Sequence, residues 1–151
     1  MAKSYESGYG NYKLFVDISA TPTPDYEEVT PMTVGFDSGE ELDTWHDLLS
    51  NIANNVKTAI DPTWSVTLKF DKDDAVCKFI IAKELQTGSG AVAGCRVVNL
   101  LKGTTGKQID FDAVFSNITY DLETPTVVEV SFDLKVSDGS DFTETDYSAS
   151  V

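Results

Sequence analysis

Strict alternation of apolar and polar side chains marks residues 128–136. The residues at even positions are apolar and those between them are Glu, Ser, Asp and Lys. A period of two is typical of a β-strand with one face in a core and the other in water. We therefore predict a strand whose core side is formed by Val128, Val130, Phe132, Leu134 and Val136.

The preceding segment, 107–122, predicts a second and longer strand. Its apolar set is Ile109, Phe111, Ala113 and Phe115, after which the phase slips by one residue and continues at Ile118, Tyr120 and Leu122. A one-residue slip is what a β-bulge produces, because the bulge keeps the apolar set on the core side. The two strands are predicted to pair as a hairpin that turns at 123–126.

Shorter patterns predict further strands at 12–19, 29–36, 64–70 and 95–101. The link at 20–28 contains two prolines, which exclude a helix or a central strand there. The best helix prediction covers 74–87. Asp73 or Asp74 can cap its start, apolar residues recur every three or four positions, and Gly88 follows where a terminating glycine is expected.

Residues 38–56 have two interpretations. Ser38 and Glu41 have the spacing of a capping box, and Leu42, Trp45 and Leu49 begin a helical stripe. The competing interpretation is a long extended loop that carries Trp45 outward.

These elements predict one mainly β domain over 1–151. We expect a β-sandwich or partly closed barrel of two packed antiparallel sheets, with one flanking helix at about 74–87. An N-terminal arm at about 1–10, a long loop at about 37–56 and a polar, acidic C-terminal tail at about 137–151 extend from it. Long loops in compact domains are usually functional or disordered.

The net charge is −14, from 25 acidic and 11 basic residues. That balance argues against a protein that grips nucleic-acid phosphates, which needs clustered Lys and Arg. No signal peptide or transmembrane span is recognisable, so we expect folding in a cytoplasm. In that setting Cys77 and Cys95, which have apolar neighbours, are predicted to be small buried hydrophobic residues.

No catalytic, cofactor or metal site is predicted. The single histidine, His46, lies among acidic and polar neighbours typical of a surface position. GTTGK at 103–107 lacks the spacing of a phosphate-binding loop. The acidic residues on the polar side of the long hairpin are Asp110, Asp112, Glu129 and Asp133, and a solvated outer face is the simplest interpretation of them.

The order of these segments resembles the tail tube (major tail) proteins of long-tailed bacteriophages. The resemblance is carried by KLFVDIS before a Pro-rich link, by EELDTWHDLLSNIANNVKTAIDPTWSVTLKF around a tryptophan, by the helix DKDDAVCKFIIAKELQTG, and by the closing strand pair IDFDAVFSNITYDLETPTVVEVSFDLKVSDG. It covers most of the chain and depends on order and length, since no catalytic signature defines the family.

The resemblance implies hexameric rings of this chain that stack into a hollow tube. It also implies a tape-measure protein in the lumen, tail terminator and distal tail proteins at the tube ends, DNA that passes without specific binding, and no membrane. The location would be the virion tail, made in the host bacterial cytoplasm. Two alternatives stay open: the tube of a contractile tail or secretion apparatus, and a carbohydrate- or protein-binding β-sandwich module.

Under this resemblance the acidic face gains a role. Asp110, Asp112, Glu129 and Asp133 are predicted to face the lumen or its rim, where negative charge would repel DNA. The 38–56 segment is then favoured as an extended arm. Contacts between subunits or rings are predicted for Trp45, Leu42, Leu49, Tyr5, Tyr9, Tyr12 and Tyr147.

Overall fold

The computed structural model describes residues 12–19, 22–29, 33–46, 53–121 and 128–147. Within these ranges it contains ten strands and one α-helix. The strands are β1 (Tyr12–Asp17), β2 (Tyr26–Val29), β3 (Thr33–Asp37), β4 (Glu41–His46), β5 (Ala53–Ala59), β6 (Thr63–Lys69), β7 (Val92–Asn99), β8 (Lys107–Tyr120), β9 (Glu129–Val136) and β10 (Thr143–Asp146), and the helix is α1 (Ala75–Ala82). The predictions for the 1–10 arm, Tyr5, Tyr9, Leu49 and the 123–126 turn lie outside the described residues.

Eight strands form one antiparallel sheet in the order β2-β1-β7-β8-β9-β6-β3, with β10 added beside β8. The remaining two strands, β4 and β5, pair only with each other in a separate hairpin. The described strands thus confirm the mainly β class with antiparallel sheets and a helix. The large sheet does not close into a barrel, because its two end strands among the described residues, β2 and β3, do not pair with each other.

Strand β8 organises the large sheet. Along one edge its residues 107–114 pair with β7, and along the other edge residues 107–110 pair with β10 and residues 113–120 with β9. The predicted bulge is present, since the register with β9 shifts between Ser116 and Thr119. Asn117 sits in the bulge with a positive φ of 52°, a conformation that Asn tolerates better than most residues.

The sheet curls around a single core. Trp64 on β6 stacks on Phe111 of β8 at 5.0 Å between ring centroids. Tyr12 on β1 also reaches Trp64, although three strands lie between β1 and β6 in the sheet. Leu14, Val66 and Phe132, from three different strands, belong to the same buried cluster. Each such side chain, when fully buried, stabilises the fold by about 1.5–3 kcal/mol.

The helix packs onto this core but is shorter than predicted. Asp74 caps it, since its Oδ1 accepts a hydrogen bond from the Val76 backbone N–H at 2.9 Å. The helix ends at Ala82, so the expectation that Gly88 terminates it is wrong; Gly88 instead opens a short 3₁₀ helix (Gly88–Ala91). Leu85 therefore falls beyond the helical stripe and is 87% exposed.

For residues 41–46 and 53–59 the helix interpretation of the 38–56 segment is wrong, because both stretches are extended strands. The apolar spacing there resembles a helical stripe, yet there is no apolar surface beneath it in the described fold. Cross-strand contacts stabilise the hairpin instead. Thr44 Oγ1 donates to Asn55 Oδ1 at 2.7 Å, and Lys57 Nζ lies 2.8 Å from Glu40 Oε1.

The C-terminal tail is a folded part of the domain as far as residue 147. Phe142 packs against the core cluster, with its ring centroid 5.6 Å from that of Phe111. After it, β10 pairs with β8, and Lys102 and Lys107 form ion pairs with Glu144 and Asp146. Over 137–147 this tail is therefore held by the domain itself, through its pairing with β8.

Candidate assembly surfaces

The outer face of the large sheet carries all four predicted lumen residues. Register places Asp110 and Asp112 on the side of β8 opposite Phe111 and Ala113, which are buried. Glu129 and Asp133 occupy the same outer side of β9, opposite Lys69 and Ser65 of β6. The structure therefore brings the four residues onto one face, distributed along two strands.

Asp110 is neutralised within the chain. Arg96 Nε and Nη2 donate to its two carboxylate oxygens at 2.7 and 3.1 Å, a bidentate geometry that is among the stronger ion pairs. That hydrogen bonding raises the pKa of Arg96 further above its usual range. The same guanidinium lies 4.4 Å above the ring of Tyr26 on β2. Sequence reasoning missed this arrangement, because residues 14 and 70 positions away from Arg96 meet through strand order alone.

The other acids of this face are less constrained. Asp133 Oδ2 accepts a hydrogen bond from Asn117 Nδ2 at 2.8 Å, which fixes it beside the bulge. Asp112 and Glu129 form no ion pair with any described residue. The free negative charge of the face therefore comes mainly from Asp112, Glu129 and Asp133.

Between the charged positions this face is lined by small hydroxyl side chains. Thr67 on β6 and Ser131 on β9 lie opposite each other with their oxygens 2.9 Å apart. Ser65 and Ser116 flank Asp133 on either side. The surface here is mostly polar. Lys69, Lys135 and Val114 share it, so it carries both signs of charge with a small excess of acidic side chains.

The β4–β5 hairpin presents the opposite character. Leu42, Trp45 and Val56 are 55%, 48% and 47% exposed. Trp45 pairs with Asn54, so Val56 is its diagonal neighbour on the same face of the hairpin, within reach of a large aromatic side chain. Leu42 lies on the other face, beside Lys57. An isolated two-stranded hairpin is marginally stable in water, so this element calls for a further packing partner.

The base of the hairpin is fixed to the domain. The Asp61 backbone N–H donates to the carbonyl oxygens of Ser38 and Gly39 at 3.0 and 3.1 Å. Gly39 has φ = 58°, and a Cβ added there would lie 2.2 Å from the Asp61 carbonyl oxygen. Lys135 Nζ, 3.3 Å from Asp61 Oδ2, ties this base to β9. The hairpin thus leaves the body at a defined position.

The two predicted contact tyrosines within the described ranges are both engaged in the chain. Tyr12 packs against the core, and burial raises the pKa of its phenol, with a smaller opposing effect from Trp64. Tyr147 is half-buried, and its backbone N–H donates to the Gly106 carbonyl oxygen at 3.0 Å. Neither side chain requires a second subunit to explain its position.

The described residues contain little that suggests reaction chemistry. No group of three or more His, Cys, Asp or Glu side chains among them is placed to hold a metal ion. Cys77 and Cys95 are both free and buried, as predicted, and burial raises the pKa of each thiol. No helix in the described part of the chain is long and apolar enough to cross a membrane.

Comparison with solved structures identifies the fold. The chain superimposes on the SPP1 tail tube with a TM-score of 0.67 and 18% identity, covering 91% of this chain and 77% of that one. It matches the tail of an empty gene transfer agent particle, refined with C6 symmetry, with a TM-score of 0.64 and 12% identity over 91% and 99% of the two chains. A chain of the sheath–tube complex of an extracellular contractile injection system (PVC) gives 0.57 and 10% over 95% and 93%.

The fold is therefore the one found in tail tubes and related injection tubes, as the resemblance in sequence order predicted. No protein-family model matches the sequence, and no curated protein matches it. At these identities the similarity establishes the fold, and function must be argued from the surfaces.

Proposed function

We propose that this chain is a tail tube protein, a structural subunit that assembles with copies of itself into hexameric rings stacked as a hollow tube for DNA. The observation that carries the proposal is the β4–β5 hairpin, which is fixed at its base and exposes Leu42, Trp45 and Val56 without a described partner. Exposed apolar patches of this kind mark interaction sites. The shared fold with solved tube subunits supports the identity of the partner as another copy.

In this proposal the hairpin contacts a neighbouring subunit or ring through Trp45 and Leu42. Leu49, Tyr5 and Tyr9 remain proposed contacts on the segments outside the described residues. Tyr12 is a weaker contact candidate because its side chain already packs against the core, and Tyr147 is weaker because it is half-buried and its backbone is bonded to Gly106.

The outer face of the sheet would line the lumen or its rim. Asp112, Glu129 and Asp133 would supply most of its negative charge, whereas Asp110 contributes less because Arg96 neutralises it. A wall with an excess of acidic groups, small hydroxyl side chains and few apolar ones would repel the phosphates of passing DNA.

The proposal places the chain in a virion tail, with a tape-measure protein in the lumen and terminator and distal tail proteins at the tube ends. A second candidate is the inner tube of a contractile injection system. It is favoured by the match to a chain of the PVC sheath–tube complex. Both candidates are non-enzymatic and self-assembling.

Negative-stain microscopy of the purified protein tests the proposal directly. We expect hollow tubes with sixfold end views as the concentration rises. A chain that remains monomeric in sedimentation at every concentration and salt would refute it.

The lumen assignment has its own test. Asp112→Lys with Glu129→Lys is expected to permit assembly but to make the tubes retain duplex DNA in a salt-dependent way, whereas wild-type tubes do not. Glu27→Lys with Asp73→Lys, two exposed residues off that face, is a control of equal charge change. DNA retention by the control alone would place the lumen elsewhere.

A further inference from the structure

Beside β3, an exposed aromatic ring packs directly on the buried core. Phe36 pairs with Trp64 across β3 and β6, and its ring centroid lies 5.1 Å from that of Trp64. Trp64 is buried, yet Phe36 is 59% exposed. The row of aromatic rings that runs through the core thus continues onto the surface at the end of β3.

A second exposed apolar residue lies at the base of the hairpin. Ile60, 48% exposed, directly follows β5 and directly precedes Asp61, the residue that closes the base. We call the Phe36 and Ile60 side chains the shoulder. The shoulder and the hairpin account for five of the eight large hydrophobic residues found exposed in the described chain.

The hairpin does not cover its own shoulder. Among the described elements, β4 and β5 make extensive contacts only with each other. Trp45, Val56, Phe36 and Ile60 each keep about half of the side chain open to solvent. At its base the hairpin is fixed by hydrogen bonds from the Asp61 N–H to the Ser38 and Gly39 carbonyl oxygens.

We propose that the Trp45 and Val56 face of the hairpin of one copy docks on the Phe36 and Ile60 shoulder of another copy. This inference rests on the proposed self-assembly and names the surface that receives the hairpin. Both surfaces are apolar, and they differ from each other. In the proposed tube the contact is head-to-tail, which propagates to a closed ring or an open stack, whereas a reciprocal exchange would stop at a pair of chains.

The area of the contact explains why assembly should be cooperative. Aromatic side chains bury 150–250 Å² each, so the half-exposed Trp45 and Phe36 offer roughly 100 Å² apiece, with somewhat less from Val56 and Ile60. A stable interface buries more than about 1,000 Å² in total. One hairpin contact is therefore too small alone, and a lasting assembly needs every copy to give one hairpin and receive another.

A mixing experiment with two defective variants tests the contact. The hairpin variant carries Trp45→Ser and Val56→Ser, and the shoulder variant carries Ile60→Asp; a second shoulder variant, Phe36→Ser, covers the same surface. Circular dichroism and thermal melting verify that each is folded. Each variant alone is expected to raise the concentration needed for assembly by at least about tenfold, as for a hot-spot residue.

Mixed in equal amounts, the hairpin variant and a shoulder variant retain one intact surface each. Because one contact per pair is too small alone, sedimentation is then expected to show no lasting assembly, whereas chemical cross-linking should trap pairs of one hairpin variant with one shoulder variant. Cross-linked pairs that form equally often between two copies of the same variant would contradict the contact. The control is Leu101→Ser, which removes a residue of similar exposure, 58%, at the turn between β7 and β8 and should assemble as the wild type does.

The outcomes separate this inference from the proposed function. If the wild type assembles and both shoulder variants assemble equally well, the shoulder is not the receiver and the inference fails alone. The inference also fails if Leu101→Ser blocks assembly to the same extent, since any apolar loss would then suffice. If the wild type itself never assembles, the proposed function fails first.

Discussion

Replacement of Phe142 by Ala tests whether the C-terminal segment is part of the core. The Phe142 ring lies 5.6 Å from the Phe111 ring in an edge-on arrangement and 6.1 Å from the Trp64 ring, measured between centroids. The side chain is half-buried, and it lies in the segment 137–142 that joins β9 to β10. If these contacts hold the segment, their loss should destabilise the whole domain.

The magnitude follows from burial. Truncation of a fully buried Phe to Ala costs about 3–5 kcal/mol. Phe142 is only partly buried, so about half of that, roughly 2 kcal/mol, is expected. For a domain of this length such a loss lowers Tm by about 4–8 °C, at about 2–4 °C per kcal/mol.

Urea unfolding followed by circular dichroism measures the change in the free energy of unfolding. Leu101→Ala is the matched control, because Leu101 is exposed and its truncation should change that free energy by less than about 0.5 kcal/mol. A Phe142→Ala variant that is as stable as this control would show that the ring makes no contribution, and the C-terminal segment would then be an attached tail only.

Three further results are expected. Gly39→Ala forces a Cβ toward the Asp61 carbonyl oxygen, 2.2 Å away, and should destabilise the hairpin base by about 1–3 kcal/mol, seen as faster amide exchange in β4 and β5. Gly139→Ala, with open space around it, is the control; equal amide protection of β4 and β5 in the two variants would contradict strain at the base. Burial tends to raise the pKa of Asp17, but hydrogen bonds from Ser19 and Asp25 outweigh it and lower the pKa below 3.8. The carboxylate therefore stabilises the fold above that pH and loses this effect as the pH falls. Asp17→Asn should make the free energy of unfolding less dependent on pH in acid, and an unchanged dependence would exclude Asp17 as its source. Each chain has a net charge of −14, so copies repel each other at low salt. As salt rises from about 0.01 to 0.15 M, the Debye length falls from about 30 to 8 Å, and assembly should start at a lower protein concentration. Light scattering that does not depend on salt would exclude this repulsion as the barrier to assembly.

The regular part of the fold was predictable where alternation was long. The apolar residues of β8 and β9 keep period two over many positions, and the slip after Ser116 located the bulge. The helix start was predictable because Asp74 has a local partner, the Val76 N–H. Its end was not, since Lys83 to Thr87 carry no residue that forbids further helix.

The hairpin and β10 show why the rest was less accessible. Leu42 and Trp45 have helical spacing, which predicts a helix that packs on an apolar surface. The described fold has no such surface next to them, and they lie instead on a strand that pairs with β5. The four residues of β10 are all exposed, so no apolar period could reveal this strand. It is held by pairing with β8 and by ion pairs to Lys102 and Lys107, far earlier in the chain.

Of the candidate site, the acidic face was predictable from alternation, because residues two apart on one strand share a side. Its actual charge was not, since the Arg96–Asp110 pair depends on which strands are neighbours. The exposure of Phe36 also depends on strand order, because β3 is the last strand of its sheet.

The uncovered Phe36 ring has a thermal consequence for any assembly that buries it. Removal of aromatic surface from water lowers the heat capacity, so the attraction it provides weakens on cooling. Copies joined mainly through Phe36 and Trp45 would therefore come apart in the cold and rejoin on warming, whereas each separate domain, with its own core closed, would stay folded throughout.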